Sequence, residues 1–431
     1  MIKSRYEKSN TYLNRALKVI PLGSQTFSKS ITQYPYGVSP LFIEKGEGAL
    51  VWDIDGNQYV DFVNALLCVN LGYRYKKVDE AVVKQLSERG VSFSLPHRIE
   101  TLVAEKIVEL VPCAEKVRFG KNGTDATSAA IRLSRAYTRR EHVAVCGYHG
   151  WQDWYIGSTT KNEGVPHSTR KLTHKFEFNN IESLEKIFSE SNGEIAAVIL
   201  EPMNVSYPKD NFLQKVKDLC VKNGAVLVFD ETITGFRFSR GGAQELFGVI
   251  PDLTTLGKGM GNGYPISAIC GKSEIMNKME DIFFSGTFGG ETLSLVASYE
   301  TLKIIQEENV PEKIKELGLY LIDKLESLIK ELKLGEVFSV SGHPVWSFLV
   351  IKDYKAYTNL EIKSFLMQEM FKRGILSIGT HNLSYSHRRE HVDSLIEAYR
   401  GAFFELSKGL NGDDLMKFFN GKVLEPLFKV R

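Results

Sequence analysis

The sequence predicts an α/β protein, with a large domain built on a mostly parallel sheet and a smaller α+β domain made from the two chain ends. Three observations lead there. Short, continuous apolar runs such as Ile195–Leu200 and Ala225–Phe229 read as strands covered on both faces. Amphipathic helical stretches stand between them, which is the pattern of a parallel sheet with crossover helices. The 431 residues suggest two or three domains at about 150 residues each.

In chain order, residues 1–75 open with helical spacing from Met1 to Leu22 and a turn-rich stretch around Pro21–Pro40. Alternation then marks strands at Leu41–Glu44, Leu50–Ile54 and Gln58–Val63, with a turn at Asp55-Gly56, so this zone reads as a small antiparallel meander. Residues 76–310 form the large domain. Its predicted helices are Val78–Arg89, Glu100–Leu110, Thr124–Tyr137 and Gln214–Lys222, and its strands are Lys116–Phe119, His142–Cys146, Ile195–Leu200 and Ala225–Phe229. Residues 311–431 carry long charged helices (Pro311–Glu331, Leu360–Lys372, Arg389–Leu406) around strands Glu336–Val340, Trp346–Ile351 and Ile375–Ile378. The two ends, 1–75 and 311–431, are expected to pack together as the smaller domain.

Composition excludes several classes of function. With 54 Lys+Arg against 52 Asp+Glu, the net charge is +2, and no basic cluster offers a nucleic-acid footprint. The five cysteines are far apart, with neither disulfide-framework nor metal-ligand spacing, so no metal is expected. The apolar runs are far shorter than the ~20 residues that span a bilayer. A cytoplasmic protein without a membrane segment is the expectation.

Ligands of open α/β sheets bind beyond the carboxyl ends of strands, and four loops there are unusual. Gly120–Asp125 leads into a helix: Gly123 allows close backbone approach, Thr124 adds a hydroxyl, and free N–H groups suit an anion. Thr124 or Asp125 also reads as a simple helix cap. Gly147–Trp151 sets Tyr148 and His149 at a strand end, where they suit stacking on a planar ligand or ordinary core packing. Asp230 and Glu231 follow an apolar strand, an expensive place for carboxylates unless they are paired. Thr254–Pro265 holds Lys258 among four glycines, so a bulky ligand can reach its amine, and lysine amines form Schiff bases with carbonyl compounds. It is neither a Walker loop nor a dinucleotide-binding loop, since Asp252, Gly259 and Asn262 break those patterns.

The order and spacing of these motifs resemble the class III (ω-type) aminotransferases of the fold-type-I pyridoxal-phosphate enzymes, most nearly the glutamate-1-semialdehyde aminomutases. The residues that carry the resemblance are Pro40–Gly48 with Trp52–Gly56, Asn122–Ala126, Tyr148-His149-Gly150, Glu201-Pro202, Asp230-Glu231 with Thr234–Arg237, and Pro251–Lys258. It spans about Ser9 to Leu406.

The resemblance implies pyridoxal 5'-phosphate as cofactor. Lys258 corresponds to the lysine that joins the cofactor aldehyde and then moves a proton, and Asp230 to the carboxylate opposite the ring nitrogen. Tyr148 and Thr232 correspond to the two ring faces, Thr232 standing where the family usually has Val. Gly123 and Thr124 match the phosphate cup. Thr287 matches a threonine reaching the neighbouring subunit's phosphate, which implies a homodimer with shared active sites. His149 and Glu201 are placed on the substrate side, together with Lys29, which stands where the aminomutase has an arginine. The aminomutase's Phe-Glu-Ala-Gly stretch has no match in Gly379–Tyr385, and Glu291-Thr292 replaces the usual Asn-Pro. These departures point to an aminotransferase acting on a small-molecule amino donor, glutamate being one candidate, and a carbonyl acceptor. Intramolecular transfer on glutamate 1-semialdehyde is the alternative.

Overall fold

The structure, a computed structural model, describes residues 5–411 and 414–426. They form two compact units: a smaller one of residues 5–66, 71–75 and 313–426, and a larger one of residues 67–70 and 76–312. Residues 67–70, within the stretch 1–75 expected in the smaller domain, belong to the larger unit.

The smaller unit begins with the strands β1 (Ile43–Glu47), β2 (Leu50–Asp53) and β3 (Gln58–Asp61), an antiparallel meander. Asp55, in the turn between β2 and β3, accepts the backbone N–H groups of Lys8 (2.7 Å) and Ser9 (3.0 Å), which fastens the helix Glu7–Ala16.

The larger unit holds a seven-stranded sheet. Its strands are β4 (Lys116–Gly120), β5 (His142–Cys146), β6 (Thr173–Lys175), β7 (Ile195–Leu200), β8 (Val226–Asp230), β9 (Leu253–Leu256) and β10 (Ser267–Gly271), in the spatial order β4-β10-β9-β8-β7-β5-β6. Only β10 runs antiparallel to its neighbours. The sheet is buried on both faces, which is why β7 and β8 are apolar without alternation. One face packs Ala126, Ala130 and Leu133 of the helix Gly123–Thr138. The other packs Leu184 and Ile187 of Ile181–Glu190 with Val216 and Cys220 of Phe212–Asn223.

The sequence reading placed Thr254 onward in a loop, yet Leu253–Leu256 is a fully buried strand. Its two threonines hid it. Both hydroxyls are hydrogen-bonded, Thr254 Oγ1 accepting from Gln244 Nε2 at 3.0 Å and Thr255 Oγ1 donating to Asp230 Oδ1 at 3.0 Å, so neither is buried unpaired.

The chain then completes the smaller unit with β11 (Phe338–His343), β12 (Trp346–Ile351), β13 (Ile375–Leu376) and β14 (Thr380–Asn382). β13 adds in parallel to β3, and β11-β12-β14 form a second, antiparallel sheet. The two chain ends share one core, with Tyr34, Val51 and Tyr59 against Met367, Phe371 and Leu376. No helix among the described residues is long and apolar enough to cross a membrane.

Candidate active site

The site grows from the carboxyl ends of β5, β7, β8 and β9 in the larger unit. β8 ends on Asp230, whose side chain is 5 % exposed. Its Oδ1 accepts from the Thr232 N–H (3.1 Å), the Thr232 hydroxyl (2.6 Å) and the Thr255 hydroxyl (3.0 Å). Its Oδ2 lies 2.8 Å from His149 Nδ1. Burial by itself raises this carboxyl. The His149 hydrogen bond and charge, with the Thr232 contacts, outweigh it and hold Asp230 below the ordinary aspartate range. Asp230 is therefore a carboxylate kept ionised in a dry setting, with a fixed direction.

His149, expected beside the substrate, is held by two protein groups. Its ring is buried, between Asp230 on one side and the Cys146 carbonyl on the other, with Nε2 3.1 Å from that oxygen. A carbonyl only accepts, so Nε2 carries a proton. The role open to this ring is to orient Asp230. Next to it, β5 leads through Gly147 (φ +106°) and Gly150 (φ +109°), backbone conformations that favour glycine. A Cβ on Gly147 would strike the Glu201 carboxylate and one on Gly150 the Thr124 side chain, so both glycines permit close packing.

Tyr148, between them, keeps its ring half exposed and meets Tyr155 edge-on at 5.6 Å. Its backbone N–H donates to Glu201 Oε2 at 3.0 Å. Asn204 Nδ2 also donates to Glu201, at 3.3 Å to Oε1 and 3.2 Å to Oε2. Burial and the nearby Asp230 charge raise the Glu201 carboxyl. Glu201 thus braces the Tyr148 loop.

Lys258 follows β9 with φ +42°, a left-handed conformation that a lysine rarely adopts. Its amine makes no hydrogen bond among the described residues. Burial lowers its pKa, opposed by Cys68, Glu201 and Asp230 and reinforced by the Arg237 guanidinium. A larger share of free, nucleophilic amine at neutral pH follows. Arg237 itself is 1 % exposed and bonds Asn70 Oδ1, so the excursion of residues 67–70 is held at this site. The sequence pattern gives Arg237 no role, and Cys68 and Asn70 lie in no recognisable motif.

Gly123 and Thr124 open the helix Gly123–Thr138. Asp125 accepts the N–H groups of Lys121 (3.0 Å) and Asn122 (2.8 Å) and folds the loop back. The N–H groups of Gly123 and Thr124 make no hydrogen bond among the described residues. The Thr124 hydroxyl is buried and has no partner among the described residues. An orphaned buried hydroxyl at a helix start fits an anion acceptor there. A Cβ on Gly123 would lie 3.0 Å from Thr232 Cγ2, so the helix start and the Asp230 loop adjoin.

Thr287 is exposed and lines a cavity of about 420 Å³ with Lys121, Asp125, Arg132 and Phe288. Lys29 belongs to the smaller unit, on the short turn Phe27–Lys29. Glu291-Thr292 is explained by helix capping. Glu291 accepts the N–H groups of Leu293 (2.6 Å) and Ser294 (3.2 Å), pairs with Lys121 at 2.9 Å, and starts the helix Thr292–Glu307. No cluster of three or more His, Cys, Asp or Glu among the described residues could hold a metal ion.

The arrangement offers a free amine of lowered pKa, an oriented carboxylate, an exposed aromatic face and a helix-start anion site. These suit a phosphorylated, planar aldehyde with a ring nitrogen, and the residues present fit pyridoxal phosphate. Residues 32–382 match the family model for aminotransferase class-III. The chain is 31% identical to 3-aminobutyryl-CoA aminotransferase of Cloacimonas acidaminovorans, over 95% of this chain and 99% of that protein. It is 34% identical to glutamate-1-semialdehyde 2,1-aminomutase of Aquifex aeolicus, over 93% and 100%. Among solved structures, the FumI protein of Sphingopyxis sp. MTA144, in its PLP internal aldimine form, superposes with a TM-score of 0.86 at 29% identity, over 93% of this chain and 96% of that one.

Proposed function

The chain belongs to the class III aminotransferases and is a pyridoxal-phosphate-dependent enzyme, and within that family we propose that it moves an amino group between two separate small molecules. The observation that carries the site assignment is the Lys258 amine, free of hydrogen bonds among the described residues, in the same unit as an Asp230 carboxylate held ionised by His149. When bound, the cofactor supplies an aldehyde that condenses with amines and a ring that takes up the electron pair left by a broken C–H bond.

The chain's own residues do the rest. Nζ of Lys258 would hold the aldehyde carbon until a substrate amine displaces it, then take the proton from the substrate carbon that bears nitrogen. Asp230 would hold a proton on the ring nitrogen. Tyr148 and Thr232 would flank the ring, and Gly123 and Thr124 would take the phosphate. Thr287 of the partner subunit would reach the same phosphate, so the working form is a homodimer. Five free thiols suit a cytoplasmic setting.

Transfer between two molecules is favoured over the aminomutase reading by the substrate-side sequence, with Lys29 in place of an arginine fork and no counterpart for Phe-Glu-Ala-Gly in Gly379–Tyr385. Similarity to the aminomutases over nearly the whole chain supports the second reading. A donor screen separates them. Glutamate or 3-aminobutyryl-CoA should convert the bound cofactor to its amine form in a single turnover and release an oxo product. Conversion of glutamate semialdehyde to aminolevulinate without an external donor would establish the mutase instead.

A further inference from the structure

We propose that Asn70 is a positioning residue for Lys258: its side-chain amide, tied to Arg237, sets the backbone from which the lysine presents its amine. This rests on the reading of Lys258 as the lysine that joins the cofactor.

In the larger unit, residues 67–70 run along the glycine-rich turn that carries Lys258. A Cβ on Gly259 would lie 2.5 Å from Asn70 Cγ and 2.7 Å from its Oδ1, and one on Gly263 would lie 3.9 Å from Val69 Cγ2. The place of a side chain at 259 is therefore filled by the Asn70 amide, pressed on the residue next to Lys258. The turn itself is short, Lys258–Gly261, and the Met260 N–H closes it on the Gly257 carbonyl at 3.1 Å. Its first residue, Lys258, holds φ +42°. Such a conformation persists only where the surroundings enforce it, and the Asn70 amide is part of those surroundings.

Asn70 is fixed in turn. It is 1 % exposed, and its Oδ1 accepts from Nη2 of the equally buried Arg237. Its Nδ2 is buried and makes no hydrogen bond among the described residues. Stability alone gives no reason to keep an amide with an orphaned donor at this position. The segment is also entered at a cost. Asn64–Leu67 are four consecutive residues with φ between +49° and +70°, unfavourable for residues that carry a Cβ. Both features weigh against stability in the segment that seats Asn70. The bond to Arg237 also settles where that charge stands. Burial lowers the Lys258 amine and Arg237 reinforces this, while Cys68, Glu201 and Asp230 oppose it.

Uptake of pyridoxal phosphate by the full-length, cofactor-free enzyme, followed across pH by the absorbance of its link to lysine, tests this. Asn70→Ala should slow uptake roughly 10–100-fold, the cost of a misplaced reacting group. Its midpoint should move to higher pH, because the Arg237 charge is no longer fixed beside the amine. Asn70→Asp keeps the shape and the acceptor for Arg237, and should recover most of the plateau rate. Gly259 has no positive φ, so alanine suits its backbone. Gly259→Ala should slow uptake as Asn70→Ala does, and the double variant should be no slower than either, since the new Cβ takes the place of the amide. If Asn70→Ala fails to fold, Gly259→Ala alone gives the reading. Uptake at the wild-type rate, an Asp variant as slow as the Ala variant, or a slower rate at an unmoved midpoint would overturn the role. Borohydride reduction and peptide mapping keep the two readings apart. A link on a lysine other than Lys258 removes the premise, whereas a link on Lys258 formed at the wild-type rate in these variants removes only the role of Asn70.

Discussion

His149 Nδ1 lies 2.8 Å from Asp230 Oδ2, although 81 residues separate the two in sequence. The opposite ring nitrogen is committed to the Cys146 carbonyl, so the imidazole cannot turn away from the carboxylate. Asp230 is consequently held below the ordinary aspartate range and fixed in direction.

Replacing His149 by Phe should lower kcat by roughly 10–100-fold, matching the loss of a charge-assisted hydrogen bond of about 1.5–3 kcal/mol. With the partner gone, burial dominates and the Asp230 carboxyl rises. The acid limb of the pH–rate profile should move to higher pH. The wild-type carboxyl is lowered, so its contribution to stability is present above the unfolded carboxylate range and fades as pH falls through the folded value. Gln at 149, which keeps a donor, should restore part of the rate; an unshifted profile in the Phe variant would remove His149 from this role.

The lowered Lys258 amine makes a kinetic prediction. The rate of cofactor uptake by the cofactor-free enzyme should rise with pH and level off below the range of an ordinary lysine. Lys258→Ala should fold normally and lose the borohydride-reducible link. Peptide mapping that finds the cofactor on another lysine would refute the assignment.

Thr124→Val separates binding from folding. The hydroxyl has no partner among the described residues, so the cofactor-free variant should melt at the wild-type temperature or slightly above it. Its Kd for pyridoxal phosphate should rise roughly 10–100-fold, the value of one hydrogen bond to a charged group. Equilibrium dialysis and a thermal scan suffice.

Glu231 is buried and structural. It accepts from the Thr234 hydroxyl (2.8 Å), the Ala243 N–H, and the N–H and Nε2 of Gln244 (both 3.0 Å), capping the helix Ala243–Phe247. Glu231→Ala strands several buried donors and should cost on the order of 3 kcal/mol in denaturant unfolding. A loss under 1 kcal/mol would show that the cap is dispensable.

Phe283 and Phe288, at 81% and 60% exposure, flank Thr287, an unusual display of aromatic surface. Sedimentation should give twice 48.6 kDa. Phe288→Asp should shift the mass toward one chain and weaken cofactor retention together; a monomeric wild type with full activity would exclude the shared site.

The residues with local signatures were legible in the chain itself. Lys258 stood out because glycines flank it, Asp230 because a carboxylate ends an apolar strand, and Gly123-Thr124 because a helix begins there. Each signal depends on neighbours within a few residues. What surrounds them was decided only by the tertiary structure. His149 came to bond Asp230 across 81 positions, Thr255 became a strand residue and a donor to that same carboxylate, and Asn70 came to meet Arg237 across 167 positions. Periodicity and backbone freedom are properties of short segments, whereas a hydrogen-bond partner is chosen by the packing of strands that meet only after folding.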